Sequence, residues 1–504
     1  MTVFTAAVMT PPINAAGAAS DRHWPGDEAL RELVRARLEG IGPVTETALA
    51  DLFECRHSEI MTALLWLQNE GYAMQGRYTG TTSAAEWCER GLLARMHRYT
   101  IKSLRAEIDA VSSADYMRFL FRWHGMDSRP EGEAAALAAL ERLEGFSIPA
   151  TAWERDILPP RVRDYQPALL DRLCSTGRIL WSRINRNRNP DASAASKSGL
   201  LRNTPIALID RHNLDYWRRL YAKPAEQPEL SAYARTVFQT LDQQGALFFV
   251  DIVARSGLLR TQVEEALAEL AAGGLVTSDS YAGLRALITP ANKRPGYGRQ
   301  QRQRRAITTG AGIDDAGRWS LIALPADTAE PDARNWIKTD PDTLQHIAWI
   351  LLKRYGVVFR KLLEREGTLP PWRELLYIYR RMEARGEIRG GRFVDGVGGE
   401  QFALPDAVAL LRRQRHDDTR LAPVVIAAAD PLNLVGILLP GERIPALHTN
   451  RILFDNGLPV AKQLNDEIQY LQQADAQKQW EISNLLTRKN NPAGFIHGMF
   501  TETH

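Results

Sequence analysis

The sequence predicts a mainly α-helical protein with small β parts, and three observations carry that prediction. Apolar residues recur at helical spacing through most of the chain. Short strand-like runs follow certain helices and are bounded by glycine. The same helix, helix, longer helix, hairpin order then returns along the chain. That order is the grammar of a winged helix, a helix-turn-helix with a β wing. The expected architecture is about five tandem winged-helix modules, a small β-barrel-like unit and a C-terminal helix.

The first module is expected over 23–82, after a flexible tail or linker over 1–22. Leu30, Leu33, Val34 and Leu38 share one helical face, and Gly42-Pro43 breaks the pattern. Thr45 opens a short helix, Ser58 begins a longer one, and Gly71 stops it before a strand-like run from Tyr72 to Tyr78. Two weaker copies are expected over 83–147 and 148–225. A clear copy follows over 226–325, with helices at Ser231–Leu241, Phe249–Arg255 and Thr261–Leu270, then two strands around Gly283. The last copy, over 340–418, has helices at Leu344–Leu352, Val357–Leu363 and Trp372–Ala384. Its hairpin runs from Ile388 to Leu404 around a Gly396–Gly399 tip. Short apolar runs at Val424–Ala429, Leu434–Leu438, Arg443–Pro445 and Arg451–Phe454 predict the β unit over 419–462, with Asn456-Gly457 as a hairpin turn. Residues 463–504 are expected to form a helix from Leu464 to Leu486 and a tail.

Composition excludes several classes. The chain has 504 residues, 44% hydrophobic and 24% charged, enough for real cores. Its net charge of +3 is too mild to argue for nucleic acid alone, so the distribution of charge matters. Cys55, Cys88 and Cys174 form no CxxC pair, and this sparse odd count fits a reducing cytoplasm. No run reaches the ~18 apolar residues of a membrane span, and no basic n-region of a signal peptide opens the chain. The ten histidines make no HExxH, no GxSxG is present, and no metal site is expected.

The charge distribution leaves two readings for the basic runs, phosphate contacts with DNA or solvated linkers that bind nothing. Lys293, Arg294, Arg299, Arg302, Arg304 and Arg305 form a run with no acid between Pro290 and Gly310. A second basic stretch carries Arg183, Arg186, Arg188, Lys197 and Arg202. In the 340–418 module, Arg373, Arg380, Arg381, Arg385, Arg389 and Arg392 accompany Trp372 and Tyr377. Arginine beside aromatics suits phosphate contact and base stacking. The alternative is that Trp372 and Tyr379 are core and the arginines are solvated or paired to Glu364, Glu366 and Glu374. The long helices of the 23–82 and 226–325 modules are acidic, which favours a scaffold role there.

Several segments resemble the C-terminal region of bacterial large helicase-related (Lhr) proteins. They include Glu86-Trp87-Cys88-Glu89-Arg90, Tyr116-Met117-Arg118-Phe119-Leu120, and Gly177-Arg178-Ile179-Leu180-Trp181 with Thr204-Pro205-Ile206-Ala207-Leu208. More specific are the run from Tyr379-Arg380-Arg381-Met382 to Arg392-Phe393-Val394, Gly399-Glu400-Gln401-Phe402, Asp430-Pro431-Leu432-Asn433 and Pro440-Gly441-Glu442-Arg443. The resemblance covers about 27–462. It implies tandem winged helices followed by a β-barrel, a layout similar to AlkZ-type DNA glycosylases. It also implies a homotetramer, a helicase core in the same parent chain, and uracil removal from DNA.

The motor itself is not found in this sequence, which has no GxxxxGK[ST] loop and no DExH box. No cofactor is therefore expected in this chain, ATP and Mg belonging to the parent helicase core. The expected partners are DNA, single-stranded or duplex, and further copies of the chain; no membrane is expected. The expected location is the cytoplasm, at the nucleoid. The expected role is the DNA-binding and oligomerisation region of a repair helicase. A monofunctional DNA glycosylase and a protein-assembly scaffold are the alternatives. A glycosylase needs an acid beside a flipped base. Asp430 and Asp455 are the candidate catalytic residues, although each also suits a turn. No Gln-apolar-Gln triplet of the AlkZ type accompanies them. Arg443 and Arg451 are the candidate phosphate contacts nearby.

Overall fold

The computed structural model describes residues 24–80, 84–106, 108–184, 203–221, 230–289, 313–322, 340–367, 369–415, 420–447 and 449–487. They fall into two compact units, 1–107 and 108–504. No helix among the described residues is long and apolar enough to cross a membrane.

The first unit is one winged helix. Helix α1 (Gly26–Gly40) buries Leu30, Val34 and Leu38, one turn apart. Strand β1 (Val44–Thr45) leads into α2 (Glu46–Phe53), where the Thr45 hydroxyl caps the helix by accepting from the Ala48 amide at 3.3 Å. Helix α3 (His57–Asn69) packs Ile60, Leu64 and Leu67 against α1, and Gly71, at φ +72°, turns the chain out of it. Strands β2 (Ala73–Gly76) and β3 (Glu86–Glu89) complete an antiparallel sheet in the order β1-β3-β2. Helix α4 (Arg90–Ala106) follows.

That sheet order, with the last strand in the middle, recurs three times in the second unit. One module is built from α6 (Gly132–Leu143), β4 (Ile148–Pro149), a π-helical turn at Trp153–Ile157, α7 (Pro167–Ser175), β5 (Ile179–Ser182) and β6 (Pro205–Asp210). Before it lies α5 (Ser113–Trp123), and after it α8 (Leu214–Tyr221). The next has α9 (Ala232–Gln244), β7 (Leu247–Phe248), α10 (Phe249–Ser256), α11 (Arg260–Ala272), β8 (Val276–Ser278), α12 (Tyr281–Ile288) and β9 (Arg318–Leu321). The last has α13 (Pro341–Tyr355), β10 (Val357–Phe359), a 3-10 turn at Arg360–Glu364, α14 (Trp372–Ala384), β11 (Arg389–Gly391) and β12 (Gln401–Ala403), then α15 (Pro405–Arg415).

Four modules of this kind therefore stand among the described residues, and the separate module expected over 83–147 is not one of them. Strand β3 belongs to the first unit, and α6 opens the module that ends at β6. Helix α5 serves the last module instead. Its Tyr116 hydroxyl donates to the carbonyls of Tyr355 and Val357 at 3.0 and 2.9 Å, and its Phe119 ring lies where a Cβ on Gly356 would sit.

Two further expectations are corrected. The Leu275–Leu287 hairpin is one strand and one helix, because β8 pairs with β9 beyond residue 312. Val357–Leu363 is not one helix: Val357, Val358 and Phe359 are β-branched or aromatic and form the edge strand β10, and only Arg360–Glu364 is helical, as a 3-10 turn.

Strands β13 (Val424–Ala427), β14 (Arg451–Asp455), β15 (Leu458–Leu464) and β16 (Glu467–Tyr470) form an open antiparallel sheet in sequence order, not a closed barrel. Leu434–Leu438 and Arg443–Pro445 lie outside this sheet. The helix expected from Leu464 begins only at α16 (Ala476–Thr487), because Ile468 and Tyr470 extend the sheet opposite Gln463 and Ala461.

Two large cores hold the second unit, and a third, small cluster of Leu453, Ala461 and Leu486 lies between the β sheet and α16. One large core joins the first two of its modules, with Trp181 edge-on to Trp319 at 6.1 Å and the Tyr281 hydroxyl donating to the Ala150 carbonyl at 2.8 Å. The other joins the last module to α5, α8 and the β sheet.

Candidate nucleic-acid interface

Helix α14 is the long helix of the last winged helix, the element that such a fold presents to a groove. Pro371 precedes its first turn, where a missing amide costs nothing. Leu375, Ile378, Tyr379 and Met382 are buried at i, i+3, i+4 and i+7. Tyr379 stacks on Phe402 at 5.3 Å, and Trp372 tilts against Tyr379 at 5.9 Å, so these two aromatics serve the core. The other face carries Arg373, Tyr377, Arg380 and Arg381, all exposed, with Tyr377 at 63%. The Arg381 guanidinium sits 5.7 Å from the Tyr377 ring, a cation over an aromatic face.

The wing continues this surface. Arg389 and Arg392 are exposed on and just after β11. Buried Gln401 fixes the hairpin: its Oε1 accepts from the Phe393 and Val394 amides at 2.9 and 2.8 Å, and its Nε2 donates to the Val394 carbonyl at 2.9 Å. Gly396 and Gly399 take positive φ at the tip. Arg380 reaches Glu400 at 3.0 Å and ties helix to wing. Arg385 pairs with Glu387.

Arg373, Arg381, Arg389 and Arg392 make no ion pair among the described residues. Of the acids expected as their partners, Glu366 holds Arg354 and Glu364 holds Arg443, whereas half-buried Glu374, raised in pKa by desolvation, lies within electrostatic reach of Arg373. Four exposed cations outside ion pairs, with an exposed tyrosine on the same helix as two of them, suit phosphate and base contact.

The other long helices differ. Helix α3 exposes Leu65 and Trp66, and α11 begins with Arg260 held by Asp314 at 2.9 Å and exposes Glu265. The run Lys293, Arg294, Arg299, Arg302, Arg304, Arg305 lies outside the described residues, as do Arg186, Arg188, Lys197 and Arg202. Arg183 is described: it is half-buried and donates to the Ala272 carbonyl at 2.6 Å.

Comparison with known proteins covers this region and much of the rest of the chain. A family model described as large helicase-related protein, winged-helix domain, matches residues 338–422, and a second with the same description matches 111–203. The first span contains α14 and its wing. The chain is 30% identical over 430 residues to "Lhr helicase/ probable uracil glycosylase" of Mycolicibacterium smegmatis, covering 82% of this chain and 27% of that protein. It is 28% identical over 453 residues to "Lhr helicase/uracil glycosylase" of Escherichia coli, covering 83% and 27%. The chain belongs to the large helicase-related family. It spans about a quarter of the length of these curated relatives, 27% in each case.

The remaining candidates in this Lhr chain sit in ion pairs. Asp430 is fully buried, and both its oxygens are held by Arg161, at 2.7 and 2.9 Å. One of them also accepts from the Leu432 amide at 3.0 Å, the turn that Asp before Pro suggests. Asp455 pairs with Arg420 beside the Asn456-Gly457 turn. Arg443 is exposed and paired with Glu364, whereas Arg451 is drawn inward to Asp156 at 3.0 Å and to the Leu486 carbonyl at 3.1 Å. Neither arginine is a vacant phosphate contact in this arrangement.

Sequence reasoning missed the polar network around Asp430. Arg161 also donates to the Ile157 carbonyl at 2.8 Å and to His124 Nδ1 at 3.3 Å, which leaves His124 Nε2 to donate to the Arg354 carbonyl at 2.8 Å. Burial, with Arg161 alongside, holds the His124 pKa well below its ordinary value. Arg365 binds the carbonyls of Ala428 and Asp430, and Arg354 and Arg365 both lie over the Phe146 ring. No group of three or more metal-ligating side chains occurs among the described residues.

Proposed function

We propose that this chain is a DNA-binding region of an Lhr-type repair helicase, and that the last winged helix takes the phosphate backbone. The carrying observation is the exposed set Arg373, Arg381, Arg389 and Arg392, none of them in an ion pair among the described residues, with exposed Tyr377 on the same helix as the first two. The basic run at 293–305 supports the reading by its charge. In chain order it falls between the second and third strands of its module, where a winged helix carries its wing.

The test is DNA binding by fluorescence anisotropy at about 50 to 200 mM salt. Replacing Arg373, Arg381, Arg389 and Arg392 with Gln should flatten the duplex salt slope by about 3.6, given roughly 0.9 per phosphate contact. An unchanged slope would remove this face from the interface. Assembly into a tetramer belongs to the same proposal; sedimentation as a monomer at micromolar concentration would count against it.

Base excision is the second reading, favoured by the names of both relatives, each of which includes uracil glycosylase. Release of free uracil from a labelled strand tests it directly. Asp430→Asn and Asp455→Asn test the two candidate acids, and full activity in both would remove that assignment.

A further inference from the structure

Helix α4 carries a second charged surface that the winged helices do not account for. Over Arg90–Ala106 it holds Arg90, Arg95, Arg98, Lys102 and Arg105 and no acidic residue. Arg95, Arg98 and Lys102 stand at i, i+3 and i+7, so the three share one stripe. At 1.5 Å per residue the stripe runs about 10 Å. One strand of DNA presents a charge roughly every 3.4 Å along the axis, so the stripe faces about three phosphates.

Elsewhere in the same unit, Arg35 is paired with Glu32 and Glu70, and Arg56 with Glu59. Arg95, Arg98 and Lys102 are exposed and pair with no carboxylate among the described residues. Like charges three and four residues apart repel, and a helix kept only for structure gains nothing from such a row.

Tyr99 identifies the form of the ligand. It lies four residues after Arg95 and three before Lys102, beside the stripe, and is 75% exposed. A water-exposed aromatic among cations suits stacking on an unpaired base. An anionic lipid surface fits less well, because Leu92, Leu93, Ile101 and Leu104 on the remaining face are half-buried within the chain and are not free to enter a bilayer. The helix N-terminus is also taken, since the Glu89 carboxylate accepts from the amides of Gly91 and Leu92.

We propose that the α4 stripe, Arg95, Arg98 and Lys102 with Tyr99, is a single-stranded DNA contact separate from the last winged helix. It rests on the DNA-binding reading above. The experiment uses the full chain and a fluorescein-labelled oligothymidylate across a salt series. Arg95→Gln/Arg98→Gln/Lys102→Gln should lower the salt slope by about 2, at roughly 0.7 per phosphate on a single strand. Tyr99→Ala should weaken binding about 10-fold at constant slope. Arg95→Lys/Arg98→Lys, which keeps the charge and the fold, should retain the slope. If the triple variant keeps the wild-type slope while the α14 variant flattens its own, the stripe is overturned and the DNA-binding reading stands. If wild type binds no DNA, both fail. Binding to phosphatidylserine vesicles that the triple variant loses, with oligonucleotide binding intact, also overturns the proposal.

Discussion

The charges sealed inside the second unit set its sensitivity to substitution and to acid. Arg161 and Asp430 are both fully buried, with paired hydrogen bonds. Removing one partner strands the other without water, which costs about 3–5 kcal/mol. Asp430→Asn should therefore lower unfolding stability by that amount in urea titration, and a loss under 1 kcal/mol would show that the pair contributes little. His124 carries a pH consequence. Its folded pKa lies well below the ordinary 6.5, so the unfolded chain binds the proton more readily. Its contribution is complete above about pH 6.5 and is lost as pH falls, by up to about 1.4 kcal/mol per unit. His346, held at about 4 by burial, acts in the same direction. Glu144, raised by burial, opposes them as pH falls toward the carboxylate range. Urea midpoints should thus drop between pH 6.5 and 5, and His124→Gln should reduce that drop. Equal midpoints at the two pH values would contradict the neutral, buried state of this ring.

At the scale of elements, one turn shows how local and distant constraints meet. Asn456 and Gly457, at φ +48° and +83°, turn β14 into β15, which is the turn geometry an Asn-Gly pair favours. Gly457 has a second duty: a Cβ there would stand 2.1 Å from the Ala114 carbonyl oxygen at the start of α5. Gly457→Ala should cost at least about 1 kcal/mol and move the α5 resonances in an NMR spectrum. A neutral effect confined to the hairpin would mean that the approach to Ala114 is relieved cheaply. The turn was legible in the sequence because its signal is local, as were α14 from Trp372 to Ala384 and the Thr45 cap. Features set by distant partners were not. Strand β8 looked paired within Leu275–Leu287, but its partner β9 lies past residue 312. Asp430 looked like a turn residue with catalytic potential because Arg161, 269 positions away in sequence, leaves no local trace. The exposed arginines of α14 were readable as candidates, but only the structure shows Glu364 and Glu366 committed to Arg443 and Arg354.

For the whole molecule, the division into two compact units predicts how it comes apart. The core of the first unit runs from Leu30 to Trp87 and, among the described residues, draws on none beyond them. The second unit binds its three winged helices and its β sheet through two extended cores that share elements across module borders. Those borders are therefore not expected to be independent folding boundaries, and the one near residue 107 is the expected one. Differential scanning calorimetry should resolve two transitions, with the smaller enthalpy belonging to the first unit because enthalpy scales with chain length. Leu64 is wholly buried in that first core, and truncating such a side chain costs about 2–5 kcal/mol. Leu64→Ala should lower the smaller transition and leave the larger one in place. Asp430→Asn should do the reverse, since its pair lies wholly in the second unit. A single transition that both substitutions shift equally would mean that the two units unfold as one. The α4 stripe and the last winged helix would then report one shared stability and not two.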